Sequence, residues 1–317
     1  MLRDVLPLLA CPQCGSGLGA RPGQAPGAVP RVLGCANGHR FDVARQGYVS
    51  LLAASRRGSA DTAVMVAARE RVQRGGHLAP VADALRDAVR ALPMPTPTPT
   101  PRPTPTPTPT PRTVLDLGAG TGYYLAAVLD DISALDDTPV LDDIPVLDDI
   151  PAAVGVALDL STAAARRSAQ AHPRSGSVVA DTWQRWPVLD GVIDLCLTVF
   201  APRNGAEAAR VLAPGGHLVV VVPGALHLTE LVDALSLLRV DPDKSDRLRD
   251  ALTPHLRLVG STETEFKLQV DRAVAADLVT MGPSAWHRDE AALSAALKAM
   301  PERLALTGSV QVHTFVR

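Results

Sequence analysis

The most informative stretch of this sequence runs from Val114 to Gly122 and reads VLDLGAGTG. An apolar strand gives way to a turn with three glycines, and the pattern that follows predicts a helix from Tyr123 to about Leu129. The glycines let the backbone turn tightly and approach a ligand with no Cβ in the way. Asp116 lies near the carboxyl end of the strand, where doubly wound sheets place their ligand crevice. The third glycine comes one residue too early for the nicotinamide-type G-x-G-x-x-G fingerprint, which argues against a pyrophosphate ligand.

Two later predicted strands also end in an acidic residue. The apolar run that begins at residue 153 ends at Asp159, and the run that begins at residue 178 ends at Asp181. A carboxylate at the first of these positions can accept hydrogen bonds from both ribose hydroxyls. The second position suits the amino group of an adenine. With Asp116, three strand-end acids in this order predict a nucleoside site at one edge of a doubly wound α/β sheet.

The amino-terminal part contains four potential metal ligands in two pairs. Two residues separate Cys11 from Cys14, and three residues separate Cys35 from His39. Two such pairs on tight turns are what a tetrahedral Zn²⁺ site needs, and a cytoplasmic chain favours zinc over a disulfide. A redox Cys-x-x-Cys motif would not require the second pair. The pattern predicts a structural zinc ribbon, and Cys196 lies in an apolar run typical of a core residue.

Composition and charge limit the kinds of protein that this chain can be. Its 317 residues suffice for one α/β domain and a smaller module. No apolar run reaches the roughly 18 residues of a membrane span, and residues 1–4 lack the basic start of a signal peptide, so we expect a cytoplasmic protein with no membrane partner. Residues 1–92 carry 12 arginines and 6 acidic residues, a net +6, whereas the whole chain carries −2. This basic third predicts a polyanionic partner, RNA or DNA.

Two low-complexity stretches interrupt the sequence. Residues 93–112 are nearly pure Pro-Thr alternation, which excludes helix and sheet and predicts an extended polyproline-like spacer between modules. Residues 129–151 repeat an acidic Leu-Asp-Asp-x-x-Pro-like hexamer. Because this repeat lacks the glycine and the bidentate glutamate of a calcium loop, it predicts an acidic inserted loop that binds no metal.

The predicted elements divide the chain into four segments. These are a zinc-ribbon module at 1–45, a helical connector at 46–92, the Pro-Thr linker at 93–112, and a Rossmann-like α/β domain at 113–317 that contains the acidic insert at 129–151. Within the last segment, further strands are predicted at 192–202, 212–223, 265–270 and 309–316, and helices at about 207–212, 227–238 and 290–300.

Several stretches together carry a family resemblance. The acid-x-Gly-x-Gly-x-Gly order resembles motif I of the S-adenosylmethionine-dependent methyltransferases, whose ligand is a nucleoside with an amino-acid tail. The stretches Cys11–His39, Phe41–Val49, Phe200–Asn204 and Met281–His287 resemble those of the 23S rRNA guanine-N1 methyltransferases. The resemblance covers nearly the whole chain apart from the two low-complexity stretches, and it is greatest to the actinomycete branch that contains the tylosin-resistance, guanine-748 enzyme.

This resemblance implies a class I methyltransferase domain with a small zinc-ribbon module that grips RNA. It implies S-adenosylmethionine and structural Zn²⁺ as cofactors, and a guanine in a 23S rRNA hairpin loop lining the peptide exit tunnel as the target. A homodimer and macrolide resistance of the tylosin type are further implications. Leu78 stands where the family usually has tyrosine, so an aromatic contact with the cofactor is lost or replaced. The predicted cofactor-binding residues are Asp116, Gly118, Gly120, Gly122, Tyr123, Leu78, Asp159, Asp181 and His227.

RNA-binding residues are predicted from charge and from stacking chemistry. The arginines expected to contact phosphate are Arg40, Arg45, Arg56, Arg57, Arg69 and Arg74. An unstacked base packs on aromatic rings and guanidinium groups, which makes Phe200, Trp286 and Arg203 candidates for holding the target guanine. Core packing is an alternative for Trp286, and a helix cap is an alternative for His227. The residue types alone identify no general base for guanine N1.

Two other classes of protein fit part of the pattern. One is a small-molecule methyltransferase in which the ribbon serves only oligomerisation, and the other is a zinc-ribbon RNA-binding protein without catalysis. The intact glycine motif and the two later acids argue against the second class. The basic amino-terminal third argues against the first.

Overall fold

The computed structural model describes residues 2–20, 30–52, 60–92, 112–136, 152–235, 237, 244–282 and 290–317. Residues 93–111 of the predicted linker and residues 137–151 of the predicted insert lie outside these ranges. So do three predicted RNA-binding residues, Arg56, Arg57 and Trp286.

The amino-terminal part forms a small antiparallel sheet preceded by a 3-10 helix. The strands are β1 (Leu18–Ala20), β2 (Val32–Cys35) and β3 (Arg40–Asp42), and β2 pairs with both neighbours. The 3-10 helix, Leu2–Leu8, buries Leu2 and Val5 in the core of the large sheet. It lies close to that sheet at Gly176, where a Cβ would come within 2.3 Å of Val5 Cγ2.

An eight-stranded sheet forms the rest of the described β structure. Its strands are β4 (Tyr48–Ser50), β5 (Thr113–Leu117), β6 (Val154–Asp159), β7 (Ser175–Val179), β8 (Ile193–Val199), β9 (Leu212–Pro223), β10 (Arg257–Asp271) and β11 (Arg303–Val316). The spatial order is β10-β11-β9-β8-β5-β6-β7-β4, with β11 antiparallel to both neighbours and the other pairs parallel. From β5 the chain moves outward to β6 and β7 and then returns to β8 on the other side. This reversal is the switch point of a doubly wound α/β fold, as predicted.

The described helices are α1 (Ala63–Arg74), α2 (Ala79–Arg90), α3 (Tyr123–Asp136), α4 (Thr162–Ser168), α5 (Gly205–Val211), α6 (Thr229–Ala234), α7 (Lys244–Leu252), α8 (Arg272–Thr280) and α9 (Glu290–Ala299). Several predicted boundaries were wrong, among them the start of β11, which was predicted at residue 309 and lies at Arg303. Helix α3 continues seven residues past Leu129 because Leu129 and Ile132 remain buried. Helix α6 begins at Thr229, so His227 lies in the turn before it. Strand β10 begins eight residues before the predicted start at residue 265 because it pairs with β11 along its length.

The apolar residues form two clusters. One contains Leu85, Leu125 and Val219 and unites α2 and α3 with the sheet, and the other contains Leu9, Trp186 and Phe315. Both clusters include residues of β5, which places that strand in the centre of the core. As predicted, Cys196 is a core residue, and burial raises the pKa of its thiol.

Helix α1 packs against α8 and contacts α4, and its residues Arg69 and Gln73 reach the turn at the carboxyl end of β5. Arg71 donates two hydrogen bonds to the carboxylate of Asp277 on α8, with N–O distances of 2.8 and 2.6 Å. This pair joins an amino-terminal helix to a carboxyl-terminal one. Among the described residues, no helix is both long and apolar enough to span a bilayer.

Candidate functional site

The glycine turn after β5 has the conformation that its sequence predicts. Gly118, Gly120 and Gly122 have φ angles of 66°, 55° and 81°, which side chains rarely allow. The Gly118 N–H donates to the Leu158 carbonyl at 2.8 Å, so the turn is fastened to the end of β6. A Cβ on Gly118 would lie 2.5 Å from the Ala201 Cβ. The glycines therefore allow both the turn and the close approach of the loop after β8.

The acid at the end of β6 is fixed by the glycine turn itself. Asp159 Oδ2 accepts the Gly120 N–H at 2.8 Å, and its Oδ1 accepts the Ser161 N–H at 2.8 Å. Burial raises the pKa of this carboxyl, although the two N–H groups act in the opposite direction. Each carboxylate oxygen can accept more than one hydrogen bond, so the group retains capacity for ribose hydroxyls.

Asp116, in strand β5, is a buried acid with a raised pKa. It is 1% exposed, and burial, followed by the nearby charge of Asp159, raises the pKa of its carboxyl to about 7. Asp116 Oδ2 and the hydroxyl oxygen of Tyr124 are buried without a hydrogen-bond partner among the described residues. Because buried polar atoms are normally paired, these two orphaned atoms beside the glycine turn fit a site that a polar ligand completes.

Asp181 follows β7 by two residues and is half-buried. Its Oδ1 accepts the backbone N–H of Trp183 at 2.9 Å, and the neighbouring Ala180 N–H donates to the Asp159 carbonyl at 3.0 Å. The three predicted acids thus lie at the carboxyl ends of three adjacent strands, in the order that a nucleoside site requires.

The rim of the site beyond β8 and β9 carries an aromatic ring and an imidazole in contact. Phe200 is 39% exposed and has a φ of 54°, a left-handed conformation that is uncommon for a bulky residue and clusters at functional sites. Its ring centroid is 5.7 Å from that of His227. His227 Nδ1 accepts the Ser309 N–H at 3.3 Å, which orients the imidazole from β11.

The remaining predicted cofactor residues are Leu78 and Tyr123, which lie near the glycine turn in the chain or in the core. Leu78 is 3% exposed in the same apolar cluster as Ala119. Tyr123 is the first residue of α3, is half-buried and makes an edge contact with Tyr124, with ring centroids 5.1 Å apart. Burial raises the pKa of its hydroxyl.

The predicted RNA-binding arginines that the structure describes differ in exposure. Arg40, Arg45 and Arg74 are exposed, and the half-buried Arg203 has a pKa lowered by burial. Arg69 is different, because it points back into the protein and lies on the glycine turn.

The four predicted zinc ligands converge. Their donor atoms all lie within 4.8 Å of one another. His39 Nδ1 is 3.4 Å from the Sγ atoms of both Cys11 and Cys35, and the Sγ atoms of Cys14 and Cys35 are 3.7 Å apart. A tetrahedron with Zn–S bonds of about 2.3 Å has ligand atoms about 3.7 Å apart. The Ser16 hydroxyl and backbone lower the pKa of Cys14 to about 5, which favours the thiolate that binds metal, whereas burial raises the pKa of Cys11. The donor set therefore fits Zn²⁺.

Sequence reasoning missed several residues that shape the site. Gln73 and Thr121 are both buried and hydrogen-bonded at 2.6 Å, and Asp61 contacts Arg69 at 2.6 Å. Trp183, two residues after Asp181, is 64% exposed. Only its position after a strand-end acid could have indicated it in the sequence, whereas the Gln73–Thr121 pair joins residues that no local pattern connects.

Comparisons with known proteins identify the family of this chain. A zinc-ribbon family model described as RlmA, N-terminal, matches residues 9–60. The 23S rRNA (guanine(748)-N(1))-methyltransferase of Streptomyces fradiae is 39% identical over 95% of this chain and 94% of its own. A relative from Micromonospora griseorubida, provisionally named a 23S rRNA (guanine-N(1)-)-methyltransferase, is 46% identical over 98% of both chains. The chain belongs to the family of 23S rRNA (guanine-N1) methyltransferases.

Proposed function

We propose that this chain transfers a methyl group from S-adenosylmethionine to N1 of a guanine in a hairpin loop of 23S rRNA. The observation that carries the proposal is the convergence of the glycine turn and three strand-end acids at the switch point of the sheet. The Asp116 Oδ2 atom is buried without a hydrogen-bond partner among the described residues, which supports a polar ligand at this site. The family relationship supplies the substrate class.

In this proposal each strand end binds one part of the cofactor. The turn from Gly118 to Gly122 contacts the amino-acid tail, Asp159 the ribose, and Asp181 the adenine amino group. Asp159 is held by two backbone N–H groups, so its position does not depend on the ligand. The bound cofactor supplies an electrophilic sulfonium methyl group, so the protein has mainly to align guanine N1 with it.

The rim residues hold the guanine. A base in an RNA loop must be unstacked to enter the crevice, and the exposed Phe200 ring offers a stacking surface beside His227. Because His227 Nδ1 accepts the Ser309 N–H, a neutral imidazole carries its proton on Nε2. Methylation requires the loss of the guanine N1 proton, which a hydrogen bond to guanine O6 would promote.

The amino-terminal part grips the hairpin in this proposal. The zinc ribbon holds its turns with Cys11, Cys14, Cys35 and His39, and the exposed arginines Arg40, Arg45 and Arg74 contact phosphate. Arg56 and Arg57, which lie outside the described residues, are also proposed to contact phosphate, and Arg203 and Trp286 are proposed to contact the guanine. The resemblance to family members further supports a homodimer, a cytoplasmic location with the ribosome and protection against tylosin-type macrolides. Light scattering of the purified protein tests the dimer.

The discriminating experiment offers the purified protein a 23S rRNA hairpin, duplex DNA and free nucleosides together with methyl-labelled S-adenosylmethionine. Label at guanine N1 of the hairpin alone is the expected result. Comparable labelling of free guanosine would indicate a small-molecule enzyme. Absence of label from every substrate, with hairpin binding retained, would indicate an RNA-binding protein without catalysis.

A further inference from the structure

Helix α1 faces the glycine turn with two polar side chains one helical turn apart. Gln73 Oε1 accepts the Thr121 hydroxyl at 2.6 Å, and both residues are buried. On the same face, the guanidinium of Arg69 lies against Gly120, where a Cβ would be 3.1 Å from Arg69 Nη1. The helix therefore places a cation directly on the turn, in a space that the absent side chain of Gly120 leaves open.

Arg69 is held in this position from two sides. Its Nη2 is 2.6 Å from Asp61 Oδ2 and donates to the Met281 carbonyl at 3.0 Å. Asp61 is itself anchored, because its carbonyl accepts the Ser161 hydroxyl at 2.7 Å. Both polar contacts that Arg69 makes within the described residues use Nη2, whereas Nη1 is the nitrogen next to the glycine turn.

This placement disagrees with the prediction that Arg69 contacts RNA phosphate. Its side chain is 22% exposed, whereas that of Arg74 on the same helix is 76% exposed. A side chain pinned between Asp61, Met281 and the turn is directed toward the crevice and away from solvent. The prediction treated all arginines of the basic segment alike because the sequence does not show which side of α1 meets the turn.

The charges around the turn indicate what Arg69 binds. Asp61, Asp116 and Asp159 make the crevice acidic, which suits hydroxyl, amino and sulfonium groups but opposes a carboxylate. An arginine is suited to carboxylate because its planar fork can donate two parallel hydrogen bonds. A ligand that carries a carboxylate therefore needs Arg69 at the point where its tail reaches Gly120.

We propose that Arg69 binds the α-carboxylate of the amino-acid tail of S-adenosylmethionine. The inference rests on the proposed use of this cofactor and adds the residue that recognises one end of it. In this proposal helix α1 covers the amino-acid tail of the cofactor. Gln73 positions α1 on the glycine turn, and Asp61 positions Arg69.

The test measures ligand binding by calorimetry with the full-length zinc-loaded protein. S-adenosylhomocysteine and its decarboxylated analogue are each titrated into wild type and Arg69→Gln. We expect Arg69→Gln to weaken S-adenosylhomocysteine binding about 10- to 100-fold, the effect of losing a charge-assisted hydrogen bond, and to change the affinity for the decarboxylated analogue less than about twofold. Equal losses with both ligands would mean that Arg69 only shapes the helix, and would overturn the proposal.

Arg74→Gln is the matched control, since it is the same exchange at an exposed position of α1. It should leave both affinities unchanged. The salt dependence of hairpin binding gives a second readout, because each phosphate contact adds about 0.7–0.9 to the log–log slope. Arg69→Gln should leave that slope unchanged. A decrease of the slope by the value of one contact would mean that Arg69 binds RNA phosphate. If wild type binds neither nucleoside, the proposed function itself fails, whereas normal wild-type binding with an unaffected variant refutes only the role of Arg69.

Discussion

The buried carboxyl of Asp116 predicts a measurable dependence of stability on pH. Its pKa is raised from 3.8 to about 7 in the folded protein. Because the folded state holds this proton more tightly than the unfolded chain, its contribution to stability is full below about pH 4, is lost as the pH rises to about 7, and changes little above that. From these two pKa values, the loss between pH 5.5 and 8.0 is about 2 kcal/mol.

Asp116→Asn removes the ionisation and preserves the size of the side chain. We expect the free energy of unfolding of the variant, relative to wild type, to increase by about 2 kcal/mol between pH 5.5 and 8.0. Urea denaturation at several pH values, with zinc present, measures the difference, and other titrating groups cancel between the two proteins. Asp250→Asn, at an exposed position of α7, reports the effect of the exchange itself. A difference between Asp116→Asn and wild type that stays constant with pH would refute the reasoning.

Three further predictions concern the zinc, the ribose and the framework. Cys14→Ser should lower the zinc content measured by elemental analysis well below one per chain, and an unchanged content would exclude this ligand. Asp159→Ala should weaken S-adenosylhomocysteine binding by about 1–3 kcal/mol, because the buried ribose hydroxyls lose their hydrogen-bond acceptor. Equal affinities of wild type and variant by calorimetry would contradict the ribose assignment. Asp194 Oδ2 accepts the Arg112 and Thr113 N–H groups at 2.9 and 3.0 Å, so Asp194→Ala should destabilise folding by about 1–3 kcal/mol with cofactor affinity unchanged, as denaturation and calorimetry would show.

The centre of the fold could be predicted because short, local sequence patterns identify its elements. Strand β5, its glycines and the strand-end acids combine an apolar run, a turn and a polar residue within a few positions. The zinc ligands likewise form two short spacings, Cys11–Cys14 and Cys35–His39, and their donor atoms meet.

What could not be predicted depends on contacts between distant parts of the chain. Strand β4 has only three residues, and its sheet position comes from pairing with β7. The first half of β10 is largely exposed and shows no clear alternation, because hydrogen bonds to β11 maintain it. The orientation of Arg69 depends on which face of α1 meets the glycine turn, and that face is set by Gln73 and by the docking of α1 on α8.

The attachment of the amino-terminal residues to the large sheet has a consequence for synthesis of the chain on the ribosome. The ribbon can close around zinc as soon as its own residues have emerged, whereas β4 must wait for β7, whose first residue, Ser175, follows Ser50 by 125 positions. At about 5–20 residues per second this delay is roughly 6–25 seconds. Leu2, Val5 and Leu9, which are buried in the core of the folded protein, therefore remain exposed on the nascent chain for that time.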